Sequence, residues 1–224
     1  MEATSYTFEA TPEKGEVSAL LIRPEGAEAL LVFGHGAGAG MTHANMEAIA
    51  QAMGRHGIAT FRYNFVYMEH GRGRGSQKVS VATVAAAVKK AQSLAPDLPC
   101  FVGGHSYGGR MSTHAAAEGL LSGIKGLIFG SFPLHAPGKP GIARAAHLVD
   151  IGLPMLFLSG ERDTFAQQDL LHQVVDPLPD AEIHWLETGN HGYKILKRTR
   201  QNPEDIFEEM GRVAARWIAG LPTS

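Results

Sequence analysis

Apolar positions along this chain fall into short blocks whose period switches back and forth. Tyr6-Thr7-Phe8, Val17 to Ile22 and Ala29 to Phe33 read as extended segments, separated by Pro12, Gly15, Pro24 and Gly26. From Met46 the spacing changes. Met46, Ile49, Ala50 and Met53 recur at i, i+3, i+4 and i+7, which predicts a helix with Thr42 as its N-cap. Ile58 to Tyr63 is strand-like again, and the polar, glycine-dotted residues 64–79 read as a loop. Ser80 is expected to cap a second helix with the stripe Val81, Val84, Ala85 and Val88. Cys100 to Val102, Leu127 to Phe129, Met155 to Leu158 and Ile183 to Leu186 complete the strands, with helices expected over 107–118 and 166–175. A last helix is expected to open with Asn202 as N-cap and Pro203 in its first turn, bury Ile206, Phe207, Met210, Val213, Ala214 and Trp217, and end at Gly220.

Strands alternating with helices need crossover connections, so the expected fold class is α/β: a mostly parallel central sheet with helices on both faces. No repeat or low-complexity linker interrupts the pattern, and residues 1–224 are expected to form a single domain. Sheets of this kind bind ligands in the loops at the carboxyl ends of their strands.

One such loop, after Cys100-Phe101-Val102, runs Gly103-Gly104-His105-Ser106-Tyr107-Gly108-Gly109. Gly104-x-Ser106-x-Gly108 between a strand and a helix has a steric cause: a serine on a very sharp turn needs flanking residues without side chains. A serine hydroxyl is a poor nucleophile until a base takes its proton, and the base needs a carboxylate to orient it. Asp163 follows the strand at 155–158, and His191 follows the strand at 183–186, which is the chain order such a turn calls for. The glycine run Gly34-His35-Gly36-Ala37-Gly38-Ala39-Gly40 follows the third extended segment. Its Ala37 amide, with the amide of Tyr107 after the serine, is the expected donor pair for an oxyanion.

These features, spread over nearly the whole chain, make it resemble the α/β-hydrolase superfamily. Within it, the chain is similar to the small, lidless dienelactone-hydrolase-like enzymes. Gly34 to Gly40, Arg62-Tyr63-Asn64-Phe65 and Pro133-Leu134-His135 resemble bacterial relatives of the testis-expressed Tex30-type proteins. The resemblance implies an α/β-hydrolase fold, and a serine hydrolase that cleaves a carboxylic ester, or a thioester, through an acyl-enzyme. Dienelactone hydrolase uses a cysteine where this chain has Ser106, so its substrate is not carried over. Eukaryotic members of the subgroup include a subunit of a chromatin-modifying complex, so a catalytically silent binding or scaffold protein is the alternative. The connection from 130 to 154, where the superfamily inserts lids, is rich in proline and too short for a separate lid domain. An open site favours hydrolysis over acyl transfer.

Composition trims the remaining options. With 224 residues and 44% hydrophobic content a sizeable core is available, and a net charge of −2 speaks against nucleic acid or an anionic membrane as partner. A single cysteine, Cys100, and an N-terminus without a signal pattern fit a cytoplasmic protein. The 11 histidines show no metal-binding spacing, and no cofactor or metal is expected. His35, His105 and His135 lie near enough to the expected site to shape it, while His43, His56, His114, His147, His172 and His184 read as surface or helix residues. Gly34-x-Gly36-x-x-Ala39 also fits a loose dinucleotide fingerprint, with Arg62 available for a 2′-phosphate, but that reading needs the first strand of the sheet. Arg72, Arg74 and Lys78, with Lys194, Lys197, Arg198 and Arg200, read as a solvated loop and a solvated helix start, the sharper alternative being an anion-binding rim with Phe65, Tyr67 and Met68 as an apolar wall.

Overall fold

The structure is a computed structural model that describes residues 1–71, 73 and 75–222. Eight strands form one sheet in the order β1-β2-β4-β3-β5-β6-β7-β8. The edge strands β1 (Thr4–Thr11) and β2 (Gly15–Ile22) pair antiparallel, and β2 pairs antiparallel to β4 (Ile58–Tyr63). From there every pairing is parallel: β4, β3 (Ala29–Gly34), β5 (Cys100–His105), β6 (Ile124–Gly130), β7 (Met155–Gly160) and β8 (Ala181–Leu186). This is the α/β-hydrolase fold, without a separate lid.

Strand residues alternate between two cores. Leu30, Val32, Val102, Met155 and Phe157 face one core, covered by α3 (Gln77–Leu94), α4 (Tyr107–Ala117) and α5 (Gln168–Val175). Leu31, Phe33, Phe101, Leu156 and Leu158 face the other, covered by α1 (Ala44–Arg55) and α6 (Ile206–Gly220). With both faces packed, β3 is apolar and β3 and β4 are buried along their whole length, as central strands must be, although β4 carries Thr60 and Arg62. Among the described residues, no helix is long and apolar enough to cross a membrane.

Helix starts differ from the sequence expectations. His43, not Thr42, caps α1, its Nδ1 accepting from the Asn45 N–H at 3.2 Å. Ser76, not Ser80, caps α3, so residues 64–79 are not one loop: they contain the single-turn α2 (Val66–Glu69) and the start of α3. Ser80 lies inside the helix, buried, and accepts a hydrogen bond from the Tyr107 hydroxyl at 2.9 Å. Arg72 and Arg74 lie outside the described residues. Asp205, not Asn202, caps α6, its carboxylate accepting from the Phe207 and Glu208 N–H groups. Asn202 instead closes a small turn through the Glu204 N–H, which keeps Pro203 outside the helix. The segment from β6 to β7 holds an isolated Ala136–Lys139 bridge and a 3-10 helix, Ala143–Asp150, laid against α4.

Candidate active site

The strand register brings Gly34, Gly104 and Phe129 level with one another, so the loops after β3, β5 and β6 open on one edge of the sheet. Between β5 and α4 the chain turns within Ser106, whose φ of 51° and ψ of −110° lie far from strand or helix values. Its N–H donates to the Gly130 carbonyl at 2.9 Å, and its carbonyl accepts from the Arg110 N–H at 3.1 Å. A side chain at Gly108 would strike the Gly34 carbonyl, and one at Gly104 would meet the Gly108 carbonyl carbon at 2.7 Å. The glycines flanking Ser106 are therefore required by packing between the β3 and β5 loops.

Asp163 stands in a turn after β7 closed by its own N–H on the Gly160 carbonyl at 3.0 Å. Its side chain is fully buried, with Oδ1 accepting the Phe165 N–H at 2.8 Å and Oδ2 2.8 Å from His191 Nδ1. His191 Nε2 is in turn 2.9 Å from Ser106 Oγ. The carboxylate can only accept, so the imidazole donates from Nδ1 and presents a lone pair at Nε2 to the serine hydroxyl. The structure thus joins the three residues expected from the sequence in one hydrogen-bonded line, with the acid end away from water.

The glycine-rich loop is held from behind. The Phe65 N–H donates to His35 Nε2 at 3.1 Å, which leaves the imidazole proton on Nδ1, 2.7 Å from the Gly36 carbonyl. Burial pushes the His35 pKa down to about 4, so the ring is neutral near pH 7 and this pattern is permitted. The Tyr67 hydroxyl donates to the Ala37 carbonyl at 3.2 Å and lies 3.5 Å from the Gly36 carbonyl. In a trans peptide the carbonyl and the following N–H point opposite ways. Pinning the Gly36 carbonyl toward His35 therefore turns the Ala37 N–H away from it. Further along, Asn64 Oδ1 accepts the Met41 N–H at 3.0 Å and Arg62 donates to the Met41 carbonyl at 3.1 Å. The Tyr107 N–H sits at the first helical position of α4, where no intrahelical acceptor exists.

His105 lies beneath His191, with ring centroids 5.4 Å apart. Burial, and secondarily the neighbouring His191, pushes its pKa down to about 3, and its Nδ1 is 2.9 Å from the Tyr193 hydroxyl. Tyr193 is buried in a left-handed backbone conformation, φ 64°, and anchors the His191 loop to the serine turn. His135 is not brought to Ser106. Its two ring nitrogens are engaged by the Ala136 carbonyl at 2.9 Å and Gln167 at 2.6 Å, bracing the segment beside Phe165.

Arg62 is fully buried against Glu47, and the Gly34 loop follows the third strand, both against the dinucleotide alternative. Other expectations are corrected. Arg200 is no rim residue: it is buried, 2.5 Å from Glu209 and 2.6 Å from the Glu187 carbonyl. Phe65 and Tyr67 stack behind the glycine loop, 6.0 Å apart, rather than walling the space in front of Ser106. His184 belongs to β8 and pairs with Glu209 at 2.9 Å. His43, read as outside the site, lines the cleft beside Ser106. Phe165, like Tyr193, is a residue the sequence did not single out: its N–H holds Asp163 and its ring stacks on His191 at 4.2 Å. Cys100 is buried with its thiol pushed up to about 12, which removes it as a rival nucleophile. Among the described residues, no group of three or more His, Cys, Asp or Glu could hold a metal.

A family model described as an alpha/beta hydrolase domain matches residues 27–219. The chain belongs to that family. Solved structures with this alpha/beta hydrolase fold superpose over nearly the whole chain. A serine hydrolase homologue from Coxiella burnetii gives a TM-score of 0.74 at 18% identity, covering 96% of this chain and 97% of that one. A serine hydrolase without lid from Xanthomonas campestris gives 0.72 at 17%, covering 100% and 97%. A dienelactone hydrolase from Anabaena variabilis gives 0.70 at 15%, covering 98% of each. At such identities the likeness is one of fold, and what an alpha/beta hydrolase of this outline acts on depends on its site.

Proposed function

We propose that this protein is a serine hydrolase that cleaves carboxylic esters, with thioesters as the neighbouring substrate class. The observation that carries the reading is the unbroken line from Ser106 Oγ to His191 Nε2, 2.9 Å, and from His191 Nδ1 to buried Asp163, 2.8 Å. Ser106 attacks the ester carbonyl while His191 takes its proton. Asp163 holds the imidazole orientation and stabilises the imidazolium. His191 then protonates the leaving alkoxide or thiolate, leaving an acyl group on Ser106. A water activated by the same imidazole hydrolyses that acyl-enzyme.

The negative charge of each tetrahedral intermediate falls to the backbone N–H groups of Ala37 and Tyr107. Nothing in this sequence of steps needs a cofactor or metal, and the partner is a small molecule rather than nucleic acid or membrane, in a cytoplasmic setting. Labelling with a fluorophosphonate, read by intact mass on wild type and Ser106→Ala, tests the reading. One adduct on the wild type and none on the variant is expected. No adduct on either protein would overturn it and favour a silent scaffold, for which partner capture is the next step.

A further inference from the structure

The cleft beside Ser106 has a composition that restricts what can enter it. Its volume is about 370 Å³, near the lower end of the roughly 300–1,000 Å³ of small-molecule sites. Ala37 and Ala39 of the glycine loop, Met46 of α1 and the Phe165 ring give it apolar walls. Asn45 Nδ2 donates to the Gly192 carbonyl at 3.1 Å, tying α1 to the His191 loop across one side. Among the described residues, no Lys, Arg, Asp or Glu lines it. Among the described residues, Arg62 is committed to Glu47 and the Met41 carbonyl, and Arg200 to Glu209. A hollow of about 560 Å³ beside Tyr67 and Ser80 shares no lining residue with the cleft.

We infer that the substrates are esters with a short, uncharged, apolar acyl group, and that acyl groups bearing a carboxylate or phosphate are rejected. This rests on Ser106 being the nucleophile. A methylene inside the cleft exchanges water for apolar contacts and raises kcat/KM about fourfold, whereas one beyond its end adds nothing. An anionic acyl group sheds water and meets no cation in return. Met46 and Ala39, which both line the cleft, set the length limit.

The test compares kcat/KM for 4-nitrophenyl acetate, butyrate, hexanoate and octanoate, and, by proton release, for methyl butyrate and monomethyl succinate. The expected profile peaks at butyrate or hexanoate, with octanoate at least about tenfold below the peak. Methyl butyrate is expected at least about tenfold above monomethyl succinate. Ala39→Leu moves the optimum toward acetate and Met46→Ala moves it toward octanoate. Met46 is also a core residue, so if that variant does not fold, Ala39→Leu decides by itself. Octanoate as the best substrate, succinate equal to butyrate, or an optimum unmoved by Ala39→Leu overturns the inference. Fluorophosphonate labelling of Ser106 without turnover of any neutral ester also overturns it but leaves the nucleophile standing. Absence of labelling overturns the underlying reading instead.

Discussion

Ser106 is not alone in its unusual backbone. Among the described residues, the other non-glycine residues with positive φ are Ser131 at 51°, Thr188 at 56° and Tyr193 at 64°, and all four lie in loops that follow β5, β6 or β8. Each such residue costs on the order of 1–3 kcal/mol, a cost borne where surrounding packing leaves no alternative. At Ser106 the packing is the contact of Gly108 with the Gly34 carbonyl. Gly108→Ala is therefore expected to lower stability by about 2–3 kcal/mol and to lose ester turnover, measured by urea unfolding and a nitrophenyl ester assay. A variant with an unchanged midpoint would show that the turn has room to move. Asp163→Asn keeps the size of the side chain but reverses its hydrogen-bonding at His191 Nδ1. A fall in kcat on the order of 10⁴ is expected with little change in KM, the effect known for the serine-protease template. Ser106, Asp163 and His191 were legible because residue type, order and strand end are one-dimensional properties. Phe165, Tyr67 and Tyr193 were not, since a ring stack and hydroxyl bonds to a backbone carbonyl or a buried imidazole leave no spacing to read.

At the scale of elements, the glycine loop after β3 depends on the segment after β4. Tyr67→Phe removes only a hydroxyl, the one bonded to the Ala37 carbonyl. The expected result is a fall in kcat of about tenfold with KM within twofold and a loss of stability of about 0.5–1.5 kcal/mol, that of one hydrogen bond. A KM rise with constant kcat would place Tyr67 in substrate binding instead. The 194–205 segment depends on Arg200, which also donates to the Asn202 and Glu204 carbonyls. Arg200→Ala would leave buried Glu209 with His184 as its remaining partner, at a cost of up to about 3 kcal/mol that thermal or urea unfolding would register. Every strand was legible from apolar blocks, yet three helix starts were displaced. Thr42, Ser80 and Asn202 are all good capping types with another acceptor close in sequence, His43, Ser76 or Asp205. Which one caps is decided by where the preceding loop releases the chain, and apolar periodicity carries no record of that.

For the whole molecule, pH sets the margin of stability. His35 and His105 are held neutral by burial, at pKa values of about 4 and about 3. Unfolded, both would bind a proton near pH 6.5. Above pH 6.5 neither state gains a proton and these groups do not change stability. As pH falls below 6.5 the unfolded chain takes up protons first, so stability is lost down to the folded pKa, about 3 kcal/mol from His35 alone. A urea midpoint level from pH 7.5 to 6.5 and falling toward pH 4.5 is expected. A level midpoint down to pH 4.5 would mean that the buried rings charge without penalty. Each of the two cores draws residues from most of the strands, so this loss is shared by the fold rather than confined to a loop.

The order in which the parts occur along the chain has its own consequence. The serine turn and the loop that braces it lie within residues 34–109, whereas His191 and α6 come at the far end. On the proposed mechanism, a chain emerging from the ribosome therefore carries Ser106 for some eighty residues of synthesis before His191 follows. Until α6 arrives, Leu31, Phe33, Leu156 and Leu158 lack part of their cover. Nascent chains stalled before residue 206 should be the sticky species, and a chaperone that shields this one face of the sheet would serve them best.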